Sequence, residues 1–104
     1  MENAMSEAYQ GLLEIDRIIH EPARLLLVTI LSAVQEADFL YLLTTTGLTK
    51  GNLSSHLTRL EQAEYLVQEK SFVGKTPRTV CRLTPAGQAA LASYRQQMGA
   101  VIGE

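Results

Sequence analysis

The chain has 104 residues, 46% of them hydrophobic and 19% charged, with a formal net charge of −2. This is one domain's worth of ordinary globular sequence, able to remove roughly 60–70% of its unfolded surface from water, so disorder and fibrous repeats are excluded. The longest apolar run, Leu25 to Leu31, falls far short of the ~20 residues that span a bilayer, and the start Met1 to Glu7 lacks the basic end and apolar stretch of a secretory signal; a cytoplasmic protein without membrane association is expected.

In chain order, residues 6–20 place Leu12, Ile15 and Ile19, with Leu13 and Ile18 alongside, at helical spacing, which predicts an amphipathic helix. His20-Glu21-Pro22 ends it, because proline lacks an N–H and disfavours helix in the residue before it, yet suits the first turn of a following helix. That second helix carries Leu25, Leu26, Leu27, Val28, Ile30, Leu31 and Val34 nearly all round, the pattern of a helix packed on several sides. Asp38 is a suitable cap for a third helix, Phe39 to about Thr46, which buries Phe39, Leu42 and Leu43 and is closed by Gly47. Thr49 caps a fourth, TKGNLSSHLTRLEQAEY, with Leu53, Leu57 and Leu60 at i, i+4, i+7. Two helices joined by so short a glycine-containing turn form a helix-turn-helix unit. From 65 to 84 the composition shifts to Val, Tyr, Phe and Thr around Gly74-Lys75-Thr76-Pro77, predicting a β-hairpin. Thr84-Pro85 then opens a final helix carrying Leu91, Tyr94, Met98 and Val101.

The segments LTKGNLSSHLTRLEQAEYL and KSFVGKTPRTVCRLTPAGQAAL resemble the MarR- and ArsR-like winged helix-turn-helix transcriptional regulators, most closely a minimal winged helix DNA-binding domain family. The likeness spans roughly residues 15–97, and its specific parts are Asn52 to Leu57, Gly74 to Thr79 and Leu83 to Gly87. It implies a DNA-binding regulator that dimerises through its terminal helices. One departure is visible: such proteins usually carry glycine at the end of the recognition helix, whereas this chain has Glu64, which is strained at positive φ and predicts a different helix end and a slightly shifted hairpin. The expected fold is mainly α with a small β-hairpin wing, a three-helix core plus wing flanked by N- and C-terminal helices. As one domain over 1–104 it divides into a dimerisation helix at 1–20, a winged-helix core at 21–84 and a second dimerisation helix at 85–104.

With its leucines turned inward, the fourth helix presents Gly51, Asn52, Ser55, Thr58, Arg59 and Gln62 outward. Short polar side chains permit close approach to a major groove, where asparagine can pair with adenine's edge and arginine with guanine's, so Asn52 and Arg59 are the candidate base readers. Thr49, Lys50, Ser54 and Ser55 lie near the helix N-terminus, where free N–H groups favour a phosphate. Lys75, Thr76 and Arg78 at the hairpin tip form the candidate wing contact with a minor groove or its phosphates, with Lys70 and Arg82 on the strands as further cations. The charge distribution agrees: residues 1–48 hold seven acids and two bases, residues 49–82 three acids and six bases.

Leu12, Ile15 and Ile19 on the first helix, and Leu91, Tyr94, Met98 and Val101 on the last, are stripes that a winged-helix core does not need for itself. Their pairing would give a homodimer presenting two recognition helices ~34 Å apart on a pseudo-palindromic operator in double-stranded DNA. His56 is expected as a partly buried hydrogen-bonded residue and Cys81 as a half-buried structural thiol. His20, His56 and Cys81 lack ligand spacing, so no metal and no cofactor is called for. No catalytic motif is present, and an enzyme is not expected. The competing reading is a winged-helix protein–protein module, suggested by the acidic first half; an effector ligand, of unknown chemistry, would have to sit between the terminal helices and the core.

Overall fold

The computed structural model describes residues 4–102, so the outermost residues of both terminal segments, 1–3 and 103–104, lie outside the described residues. Helix α2 (Pro22–Val34) begins where Glu21 Oε1 accepts the Arg24 backbone N–H at 2.8 Å, with Pro22 in the first turn, where its missing N–H costs nothing. It buries Leu27, Val28 and Leu31 completely but leaves Leu26 and Val34 partly exposed, so the central helix is covered less fully than its all-round apolar pattern predicts. Helix α3 (Phe39–Thr46) starts on Asp38, whose Oδ1 accepts from Tyr41 N at 2.8 Å, and ends on Gly47 at φ 71°. Gly47-Leu48-Thr49 then leads into α4 (Lys50–Gln62), where Thr49 Oγ1 accepts from Asn52 N at 3.1 Å. Leu53, Leu57 and Leu60 are all fully buried, as their spacing predicts.

At the far end of α4 the chain turns through a Schellman motif: Tyr65 N donates to Leu60 O at 3.0 Å and Glu64 N to Glu61 O at 2.9 Å. Glu64 occupies the left-handed position at φ 65°. The glutamate-for-glycine departure therefore does not prevent the left-handed turn, because two hydrogen bonds hold the backbone there. Glu64→Gly is expected to stabilise the fold by about 1 kcal/mol, the left-handed penalty removed less glycine's entropy, and to raise Tm by several degrees in thermal unfolding followed by circular dichroism.

Strands β2 (Leu66–Val73) and β3 (Thr76–Leu83) pair antiparallel across Gly74-Lys75, with Gly74 at φ 64°. The turn is thus shorter than the four residues expected, and Thr76 and Pro77 belong to β3. Pro77 is tolerated there because a third strand covers β3 only as far as Val80, leaving the proline's other side unpaired. That third strand, β1 (Glu36–Asp38), corrects the expectation of a simple hairpin: the sheet has the order β1-β3-β2. Glu-Ala-Asp carries no strand signature, and β1 forms because the exit of α2 lays these residues along a free edge of β3.

The expectation of one helix over 6–20 is also corrected. The chain forms α1 (Ala4–Gly11) and a 3-10 turn (Leu12–Glu14), then extends at Ile15 with ψ 142°. The break belongs to Asp16, whose Oδ1 accepts from both Ile18 N (2.8 Å) and Ile19 N (3.1 Å), a local alternative to helical bonding. Its Oδ2 accepts from the Tyr65 hydroxyl, which ties this segment to the exit of α4 and pushes the Tyr65 pKa up to about 12. Helix α5 (Pro85–Ile102) starts on Thr84, whose Oγ1 accepts from Gly87 N at 3.0 Å and donates to Glu64 O at 2.7 Å. Beyond the core α5 packs on α1, giving a body of 64 × 25 × 21 Å. Its radius of gyration, 16.0 Å, exceeds the roughly 13 Å of a compact chain this long.

Candidate nucleic-acid interface

The polar side of α4 is open. Thr49, Lys50, Gly51, Asn52, Ser54, Ser55, Thr58 and Arg59 are all exposed, while the leucines between them are anchored in the core. Gly51 has no internal reason to be glycine: a Cβ built there meets nothing within 4 Å, and alanine would favour the helix by up to ~1 kcal/mol. No contact within the described residues demands its small size.

Along this face, between α2 and α4, lies a cleft of about 450 Å³ lined by Arg24, His56 and Arg59 with Ser54, Ser55 and Thr58. Arg24 is held from the rear, its Nε donating to Ile18 O at 2.7 Å and its Nη1 to His56 Nδ1 at 3.2 Å. The other ring nitrogen of His56, Nε2, lies 3.8 Å from Glu21 Oε2. His56 is therefore a bracing residue between the N-cap of α2 and α4. Arg24 escaped sequence reasoning, because its partners are set by how α2 crosses α4 and leave no trace in local spacing.

The hairpin is fixed to α4 by Glu61, whose carboxylate accepts from the backbone N and the Nε2 of Gln68, both at 3.3 Å. Lys75 and Thr76 are exposed at the tip. Arg78 is half exposed, but its Nε lies 3.6 Å from Asp38 Oδ2, and Arg82 is engaged by Glu69 and Glu36. The register explains the difference: Arg78 and Arg82 share one face of the sheet with Ser71 and Val67, whereas Lys70 and Phe72 lie on the face of Leu66 and Gln68, which meets α4. Among the described residues, Lys50, Arg59, Lys70 and Lys75 enter no ion pair. Arg17, Arg24 and Arg95 likewise enter none, so within residues 49–82 the cations left uncompensated are those on α4, at the tip and on the α4 side of the wing.

Of the residues expected at a dimer interface, Leu12 is exposed and Ile15, Met98 and Val101 are partly so. Ile19, Leu91 and Tyr94 are instead buried in their own chain, and the Tyr94 hydroxyl meets His20 Nδ1 at 2.8 Å. The break at Asp16 turns Ile19 inward, and the base of α5 closes the core, so these three side chains are already covered. Cys81 is fully buried rather than half-buried, and burial pushes its thiol up to about 11. It is expected to resist thiol-labelling reagents at pH 8 in the native state and to react only on global unfolding, which a labelling time course with and without denaturant measures. Among the described residues no group of three or more His, Cys, Asp or Glu could hold a metal, and no helix is long and apolar enough to cross a membrane.

Residues 23–102 match the family model for the winged helix DNA-binding domain. The chain belongs to this family. A solved structure described as a transcriptional regulator homologue from Pyrococcus horikoshii OT3 superposes on the winged-helix chain with a TM-score of 0.85 at 28% identity, covering 93% of this chain and 95% of that one. A protein of Methanocaldococcus jannaschii is 28% identical over 78 residues, 75% of this chain and 85% of its own length. Two further solved structures share the fold at lower identity: the PcaV transcriptional regulator of Streptomyces coelicolor, solved with its natural ligand (TM-score 0.68, 15% identity, 93% and 67% covered), and NadR, solved with 4-hydroxyphenylacetate (TM-score 0.64, 19% identity, 92% and 65% covered). In this winged-helix protein α3 and α4 are the helix-turn-helix and β2-β3 is the wing.

Proposed function

We propose that this chain is a cytoplasmic, homodimeric transcriptional regulator that binds a pseudo-palindromic site in double-stranded DNA, with α4 in the major groove and the wing at the adjacent minor groove and phosphates. The observation that carries the reading is the free polar face of α4: a small-residue surface with unpaired Lys50 and Arg59, standing beside a hairpin whose exposed tip is cationic. Asn52 and Arg59 are the base readers; Thr49, Lys50, Gly51, Ser54, Ser55 and Thr58 fit close to the backbone and groove edge; Lys75 and Thr76 approach phosphates. Arg78 must first leave Asp38 to do the same, and being half exposed it can do so cheaply.

Residues 21–84 then form the reading core, completed by Ile19, Leu91 and Tyr94, and the remainder of the segments 1–20 and 85–104 the dimer arms. Support for the arms comes from the elongated body and from the apolar side chains exposed along α1, the turn after it and the end of α5, notably Tyr9, Leu12, Leu13 and Ile102. A soluble chain covers such a stripe by pairing it with a second copy.

The test is selection of genomic fragments by the purified protein, followed by titration across salt concentrations. An enriched inverted repeat, bound specifically and with steep salt dependence, is the expected result, with sedimentation equilibrium giving a dimer. Equal, weak binding of selected and random fragments overturns the reading.

A further inference from the structure

We propose that the wing carries an apolar wedge: Phe72, flanked by Lys70 and Lys75, inserts against the base edges of the minor groove next to the α4 site and kinks the duplex there. The inference rests on the DNA-binding reading above. Phe72 is 71% exposed and Val73 61%, at the end of a strand where no other described element lies over them. The turn chemistry requires only Gly74 at positive φ, so the fold itself gives no reason for an aromatic side chain there.

Three observations select the occupant. Residues 70–79 contain Lys70, Lys75 and Arg78 and no carboxylate, so the surface around Phe72 suits a polyanion. Cross-strand register puts Phe72 opposite Pro77 and on the same face as Lys70, Gln68 and Leu66. That face is the one joined to α4 through Gln68 and Glu61, so a ligand lying along the polar side of α4 runs towards Phe72 and not towards the paired Arg78 and Arg82. An apolar side chain between lysines, next to a helix presented to a major groove, is the arrangement by which proteins open a minor groove and part a base step.

Phe72→Ala and Phe72→Leu are the variants to make, with Lys75→Ala for comparison; all are exposed and are expected to keep the wild-type Tm. Binding to the selected DNA fragment, bending from energy transfer between its labelled ends, and fluorescence of 2-aminopurine placed at the wing step are measured together. Phe72→Ala is expected to lose the bend and the 2-aminopurine signal and to bind about tenfold more weakly with an unchanged salt slope. Phe72→Leu should keep most of the bend, since a wedge needs bulk and not a π-face. Lys75→Ala should reduce the salt slope by about 1 per half-site and leave the bend. Wild-type-like bending and affinity in Phe72→Ala overturn the wedge while leaving DNA binding intact. So does a defect in Phe72→Ala confined to anionic phosphatidylserine vesicles, which would make the tip a lipid contact. A wild-type protein that binds no DNA specifically overturns the wedge and the proposed function together.

Discussion

Replacing Gly87 by alanine is expected to destabilise the protein by about 3 kcal/mol, enough to lower Tm by more than ten degrees in a chain of this size. A Cβ at this position would lie 2.2 Å from Tyr65 O, 3.0 Å from Tyr65 C and 3.2 Å from Tyr65 Cα, all backbone atoms. The carbonyl cannot swing aside, because it accepts the hydrogen bond from Thr84 N at 3.0 Å that seats the start of α5 on the exit of α4. The better helix propensity of alanine, up to ~1 kcal/mol, recovers only part of the loss. Gly51→Ala is the matched control: its Cβ meets open space, so urea unfolding should give an unchanged or slightly raised midpoint there and a sharply lowered one for Gly87→Ala. Equal midpoints for the two would remove the close approach of α5 from the account of the fold.

Loss of base readout should be the largest functional effect. Arg59→Ala and Asn52→Ala are each expected to weaken specific binding by ~1–3 kcal/mol per lost base contact, and a symmetric dimer loses the contact at both half-sites. Both side chains are exposed and neither buries area in the core, so the variants should fold as the parent does. The distinguishing measurement is fluorescence anisotropy with the selected site and with single-base variants of it. Readout by these residues predicts relaxed preference at particular positions, with non-specific binding and its salt dependence little changed. A uniform loss over all sequences would instead assign Arg59 to the phosphates, a role the cleft it shares with Arg24 also allows.

The distribution of charge shows how far a sequence total misleads. The chain is acidic overall, yet its acids on the sheet are spent on its own arginines: Asp38 on Arg78, and Glu36 and Glu69 on Arg82. Counting cations along 49–82 therefore overstates the wing at Arg78 and Arg82 and understates Lys70, because pairing follows the two faces of a pleated sheet and not distance along the chain.

Local chemistry alone determined most of the helical framework of this winged-helix protein. Caps such as Asp38 and Thr49 use side-chain oxygens to satisfy backbone N–H groups three residues away, and the 3.6-residue period of Leu53, Leu57 and Leu60 fixes which side of α4 is buried, so the free polar face was readable before any fold was known. What only the tertiary structure decided depends on residues far apart in sequence. The strand at Glu36–Asp38 exists because β3 offers an edge; Glu64 is forced to φ 65° by the Schellman bonds closing α4; Ile19 turns inward at the Asp16 break, and Leu91 and Tyr94 are covered where the base of α5 closes the core. Bonding over a few residues is encoded in spacing, whereas contacts that close the body depend on how whole elements cross, and no local pattern records that.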